Sequence, residues 1–315
     1  MRHLRPATWA LCVYGCLAIA MLGPVLLEVH SVAIGSPGAD AQKHIWSQWW
    51  VWSQLKAGHG IPLETSVIFF PDGGPFFSLD TANSLLSLPL RPFLEPLIIY
   101  NILYAFHLVA AAWACWWLAR ECGLTPESSL IAGTTGIFCA WVLAFPMGSG
   151  VSETMAIFPL PLCWLFGLRM LREAGWKGPI LCALMLLLQA AFCWSYAIIA
   201  SVGLATMGLG WLAHRPWRRT PGTPWSLNRD TLVRLGVSIG LVALATIPLY
   251  LGIQGTVSAE EAVYSRSLSL WPGPQTPNPL TLPETNHTPL ADFFLPGHGG
   301  LRVSHEGVER LLYAA

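Results

Sequence analysis

Charge is what this sequence has least of. Only 11% of its 315 residues are Asp, Glu, Lys or Arg, against about 25% in an ordinary soluble domain. That is too little to clothe a folded domain of this size in a solvated surface. The charges present balance at 17 basic and 17 acidic, so no cationic excess points to nucleic acid as a partner. Signatures of soluble catalysis are missing too: the sequence has no Walker loop, no dinucleotide glycine fingerprint, no Cys-x-x-Cys and no His-Glu-x-x-His. The eight cysteines lie in or beside apolar stretches without metal-ligand spacing, and read as small buried apolar side chains.

What the chain has in abundance is apolar sequence, at 54%. Crossing the hydrocarbon core takes about 20 apolar residues. Runs of that kind cover 8–27, 97–119, 128–145, 154–171 and 232–252. A further apolar run, 178–213, is about 54 Å long as one helix, far more than a single crossing needs. It reads as two short spans, 178–193 and 196–213, turning near Cys193-Trp194-Ser195-Tyr196. The expected fold is therefore an all-α polytopic membrane protein of about seven transmembrane helices.

The placement of basic residues orients it. With Arg2 and Arg5 inside, Arg120, Arg169, Arg172, Lys177, Arg215, Arg218, Arg219, Arg229 and Arg234 also fall on the cytoplasmic side. These are 11 of the 17 basic residues, carried on the shorter loops as the positive-inside rule requires. A single helix over 178–213 would send the Arg215–Arg234 cluster outside. The first apolar run is longer than a signal-peptide core and reads as a retained signal-anchor. The sequence thus predicts a transmembrane module over 1–253 and an outer segment over 254–315. The ending Leu312-Tyr313-Ala314-Ala315 carries neither basic residues nor a polar tail, as expected of a longer protein cut before further spans.

The large first outer loop, 28–96, holds the candidate chemistry. Ser36-Pro37-Gly38-Ala39-Asp40 is a turn that sets a carboxylate at a helix start. Asp40 reads either as a helix N-cap or as a carboxylate held for function, and the two are compatible. The helix that follows carries Trp46, Trp49, Trp50 and Trp52, which suits a headgroup boundary and predicts an interfacial helix on the outer surface. Packing of that helix against the bundle is the alternative. Asp80, in Leu79-Asp80-Thr81-Ala82-Asn83, opens a second short surface helix. Two carboxylates at one cleft can divide the work between general base and metal ligand or substrate orienter. His44 stands four residues after Asp40 on the same helical face. Glu153, in the second outer loop, reads as a ligand contact or as a helix cap. Lys43, Lys56, Arg91 and Arg266 are outer cations available to a phosphate. His107 is an ionisable group within a span, and such groups face the bundle interior.

One span, a large outer loop with an early acidic residue and surface helices, then a bundle of spans: this arrangement resembles the GT-C superfamily of membrane glycosyltransferases. The likeness is closest to bacterial dolichyl-phosphate-mannose-type transferase relatives. The stretch from Asp40 through Trp52 is similar to their Asp, His, Trp and second Trp, and Phe69-Phe70-Pro71-Asp72-Gly73-Gly74 to their Tyr-Pro-x-Gly turn. Near the end, Leu290-Ala291-Asp292-Phe293-Phe294-Leu295-Pro296 and Glu309 through Tyr313 resemble the outer segment before their later helices. The family commonly has two adjacent acidic residues in the first loop, whereas here Ala39 precedes Asp40.

The resemblance implies an inverting enzyme of the bacterial inner membrane, with its N-terminus in the cytoplasm and its large loops outside. It would move a sugar from a polyprenyl-phosphate donor to a lipid or glycan acceptor, with Asp40 as catalytic base. Asp80, His44, Glu153, Lys43 and Arg91 are then the substrate-binding candidates. No metal-ligand set is assigned, and the one cofactor considered is a divalent cation held by Asp80 or Glu153 against the phosphate. The sequence leaves open a multi-pass transporter, a lipid flippase and a non-catalytic scaffold. A near absence of midplane charge and of internal repeats favours a site at the membrane surface over a transport path.

Overall fold

The computed structural model describes residues 4–35, 40–62, 64–65, 74–75, 81–139, 142, 147–148, 150–173, 175–214, 233, 236–237, 240 and 302–303. Its described residues are mostly helical. Three stretches are long and apolar enough to cross a membrane: Pro6–Leu27, Pro96–Glu121 and Ser152–Arg172. The expected span 232–252 and the basic cluster 215–234 lie almost wholly outside the described residues.

Helix α1 (Leu4–Leu27) buries Ala7, Ala10, Tyr14, Ala18, Leu22 and Val25 along one stripe. Its other face is no more polar: Trp9 and Ile19 are more than half exposed. A helix apolar all round is the pattern of a membrane span rather than of a surface helix. Helix α4 (Pro96–Glu121) starts with Pro at N1, where the missing N–H costs nothing, and lies antiparallel to α1. Trp113 Nε1 donates to Ala7 O at one end of the pair, and Asn101 holds Val32, just past α1, at the other.

Helix α5 (Pro126–Ile137) is N-capped by Thr125, whose Oγ1 accepts from Ser128 N at 3.2 Å. Its 12 residues span about 18 Å, shorter than the run expected over 128–145. The weak helix formers Gly133-Thr134-Thr135-Gly136 precede its end, and Phe138 leaves helical geometry at φ −90°, ψ 27°. A short helix α6 (Ser152–Met155) then leads into α7 (Pro159–Arg172). Pro159 and Pro161 fall in the first turn of α7, so they start that helix rather than interrupt it.

Helix α8 (Lys177–Phe192) ends where Cys193 turns extended at φ −151°, ψ 106°, and α9 (Trp194–His214) begins at the next residue. The chain reverses there. Gln189 of α8 donates to Ala156 just before α7, and the sulfurs of Cys182 and Cys163 touch further along, so α8 is antiparallel to α7. Trp164 donates to Ala200 O, and Leu204 reaches Gly167, so α9 runs back parallel to α7. The reversal falls within the four residues assigned to it from sequence.

Small residues let α7 and α8 approach closely: Cys163 and Gly167 on one, Gly178 and Cys182 on the other. A Cβ on Gly178 would lie 3.0 Å from Met170 N. Two apolar cores result. One is built by α1, α4, α5 and the residues entering the first loop; the other is built by α7, α8 and α9.

Strand content among the described residues is slight. Strand β1 (Ala33–Ile34) pairs antiparallel with β4 (Arg302–Val303), and β2 (Glu64–Thr65) with β3 (Gly74–Pro75). In the first loop, α2 (Ala41–Lys56) packs on α3 (Thr81–Ser87), where Ser47 and Ser84 hydroxyls meet at 2.7 Å, and also on α4.

Charge divides between the ends of this bundle. At the far end of α4, Glu121 Oε2 accepts from Arg169 Nε at 2.8 Å and its backbone oxygen from Arg172 at 2.9 Å. Asp40 and Glu153 belong to the opposite end, where α4 begins. With 26 residues in α4, the two ends stand about 39 Å apart.

A Cβ on Gly133 would run into the Tyr14 hydroxyl and the Ala112 carbonyl. Gly133→Ala is therefore expected to destabilise the α1–α4–α5 core by about 1–3 kcal/mol, read as a lower thermal midpoint in detergent. An unchanged midpoint would contradict this packing.

Candidate functional site

The site grows from two side chains at the start of α4. Asn101 Nδ2 donates to Val32 O at 2.8 Å, and its Oδ1 accepts from Ile34 N at 3.1 Å. A side-chain amide thus completes β1 as a neighbouring strand would. The hydroxyl of Tyr100 lies 2.8 Å from Ile34 O and 2.9 Å from Gly150 O, sharing its one proton between two carbonyls. Both side chains are fully buried.

Glycines allow the backbones so held to touch. Gly35 has φ +139°, and a Cβ there would lie 3.0 Å from Gly150 Cα. Gly150, at φ +66°, would bring a Cβ to 2.9 Å from that of Ala41. Ala41 is the first residue of α2 and Gly150 lies three residues before Glu153. The start of α2, with Asp40 and Lys43, is thereby brought to the turn that leads to Glu153.

Asp40 stands at the N-cap position but does not cap. Its backbone is αR (φ −72°, ψ −5°), outside the extended region a capping residue uses, and its side chain makes no cap hydrogen bond. The carboxylate is 55% exposed and faces Lys43 Nζ at 3.6 Å. An exposed i,i+3 pair contributes about 0–1 kcal/mol, so this carboxylate is held loosely and remains open to another partner. Glu153 stands in the first turn of α6, half-buried, next to the buried Ser152.

His44 does not share the exposure of Asp40. It is fully buried on the inner face of α2 with Ile45, Ser47, Gln48 and Val51. The alternative expectation for α2 holds: one face packs against α3 and α4, and the half-buried indoles lie off that face. Trp46 and Trp50 stack at 5.7 Å and 11°.

Arg91 follows α3 in the turn that leads to α4. It is 8% exposed, and among the described residues its Nε and Nη2 make no hydrogen bond. Among the described residues no carboxylate pairs with it. Burial pushes its guanidinium down to about 10, so it remains charged at neutral pH. Gln48 is wholly buried too, with neither amide atom hydrogen-bonded among the described residues.

Asp80, Arg266 and the Phe69–Gly73 turn lie outside the described residues. No group of three or more His, Cys, Asp or Glu able to hold a metal occurs among the described ones. Chemically, the described residues offer an accessible carboxylate at the start of α2, a second carboxylate three residues after Gly150, and, in the turn before α4, a buried cation without a counter-charge among them. Tyr100, Asn101, Gly150 and Gln48 were not singled out from sequence; an Asn inside an apolar span was the one available signal.

A buried charge without a partner is costly, so Arg91→Met is expected to unfold at the same temperature or higher. An anion that fills the position should stabilise the wild type by about 2.7 kcal/mol at a hundredfold excess over its Kd. Inorganic pyrophosphate should therefore raise the thermal midpoint of the wild type and not of Arg91→Met. Equal shifts in both proteins would contradict the assignment of Arg91 as an anion position. No protein-family model, curated protein or solved structure matches the chain, so the reading of this site rests on its own residues.

Proposed function

We propose that the protein is a polytopic inner-membrane glycosyltransferase of the GT-C type, moving a sugar from a polyprenyl-phosphate donor to a lipid or glycan acceptor on the outer face. The observation that carries this reading is the buried Arg91 guanidinium, unpaired among the described residues and in a segment outside the apolar spans. A cation in that state calls for an anionic ligand, and a lipid-linked phosphate arriving through the bilayer is one whose tail matches the surroundings.

An apolar groove of about 650 Å³ between α1, α4 and the start of α7 supports it. Its lining includes Leu11, Ala18, Leu26, Ile102, Phe106 and Phe158. From Leu11 to Leu26 it follows about 22 Å of helix, a length suited to an isoprenoid chain.

In this reading Asp40 is the general base. Its carboxylate takes the proton of the acceptor hydroxyl as that oxygen attacks the anomeric carbon, and the lipid phosphate leaves with the bonding electrons. Attack opposite the leaving group inverts the anomeric centre. Lys43 faces that carboxylate at 3.6 Å, and Arg91 receives the developing charge on the phosphate. Glu153 orients the acceptor, or with Asp80 holds a divalent cation. Seven spans and a cytoplasmic N-terminus belong to the same proposal. The split between the Glu121–Arg169–Arg172 end and the Asp40–Glu153 end supports that orientation.

His107 weighs against a transport path. It is buried at membrane depth, lies 2.6 Å from Asn83 Oδ1 and is enclosed by Phe106, Phe158 and Phe192. That is a packed histidine, not one lining a hydrated route.

The test uses the protein in proteoliposomes with a panel of radiolabelled polyprenyl-phosphate sugars. Wild type should release sugar from one donor, with kcat lowered about 10²–10⁴-fold in Asp40→Asn and kcat/KM lowered in Arg91→Met. Equal turnover by Asp40→Asn would remove Asp40 as base, and no release from any donor would overturn the glycosyltransferase reading.

A further inference from the structure

We propose that Cys163 and Cys182 are a disulfide-forming pair, a covalent staple between α7 and α8 closed by exchange with a disulfide oxidant. Their sulfurs lie 3.8 Å apart, and each also sits against the other's carbonyl oxygen, at 3.8 and 3.5 Å. The remaining distance to a bond of about 2 Å is within reach of side-chain rotation. The contact of each sulfur with the other residue's carbonyl oxygen shows that the backbones approach closely at this level of the helix pair.

Both residues are buried, at 0% and 4% exposure, under Leu160, Leu186 and Ala200. Water-borne oxidants do not reach them in the closed bundle. Exchange therefore proceeds when the α8–α9 hairpin is undocked, and redocking seals the product from reductant. In the first step one cysteine, as thiolate, attacks a sulfur of the oxidant, forming a mixed disulfide and expelling the oxidant's other half as a thiolate. In the second step the other cysteine, as thiolate, attacks the protein sulfur of that mixed disulfide and expels the second half. Each expelled thiolate takes up a proton released by a cysteine. The pair loses two electrons and two protons, and the oxidant is reduced to two thiols. The ring so closed ties Gln189 and its bond to Ala156 more firmly below the turn that carries Glu153.

The experiment incubates the protein in detergent solution, where opening of the hairpin admits water, with oxidised glutathione over a temperature series. Free thiols are then alkylated under denaturing conditions and the peptides mapped by mass spectrometry. The expected result is a linked peptide holding Cys163 and Cys182, two hydrogens lighter than its two halves, reversed by dithiothreitol. Its yield should rise steeply with temperature as the hairpin opens, while Cys122, exposed just past the end of α4, reacts early. Cys182→Ala should instead accumulate glutathione on Cys163, since no second thiol expels it. Recovery of Cys163 and Cys182 as alkylated peptides from wild type, at temperatures where the hairpin opens, would overturn the proposal whether or not the variant folds.

Discussion

An extended strand cannot lie against an apolar helix unless its peptide groups find partners, and the end of the bundle where α4 begins depends on how that demand is met. In a bilayer-like setting an unsatisfied backbone group costs several kcal/mol. Asn101 and Tyr100 supply the missing partners from within α4 itself, binding Val32, Ile34 and Gly150. Two polar residues on successive positions of one helix thereby fix where the first loop leaves α1 and where the second loop returns. That clasp holds Ala41, next to Asp40, against Gly150, three residues before Glu153.

Arg91 follows the opposite logic. Its guanidinium is buried without a counter-charge among the described residues, a state that lowers stability and that the proposed function relieves with an anionic ligand. The apolar bundle on which the loop rests is tightly packed, down to helix contacts that a single added methyl group would disturb. A rigid platform of that kind can hold a costly charge in place, and such strain is found where a ligand completes the electrostatics.

The parts of this architecture legible in the sequence are those set by length and composition. The spans over 8–27 and 97–119 need only an apolar run long enough to cross, and α1 and α4 coincide with them closely. The break at Cys193 carries no Gly or Pro; it was readable from the charge on its flanks and from the excess length of the run. Local chemistry was less legible. Asp40 follows a turn and precedes a helix, yet its backbone is αR, because the position of Ala41 against Gly150 overrides local capping preference. His44 is related to Asp40 by helical spacing but is buried, because α3 and α4 cover that face of α2. The isolation of Arg91 is a tertiary property that no local pattern encodes.

Hydrogen exchange tests the clasp most directly. The protein in liposomes would be compared with Tyr100→Phe and Asn101→Leu by peptide-resolved mass spectrometry. If α4 holds both loops, either substitution should deprotect the peptides over 32–47 and over 147–155 together, while those over 104–119 stay protected. Deprotection of one segment with the other unchanged would mean that the two loops are held independently, and that Asp40 and Glu153 do not share a site.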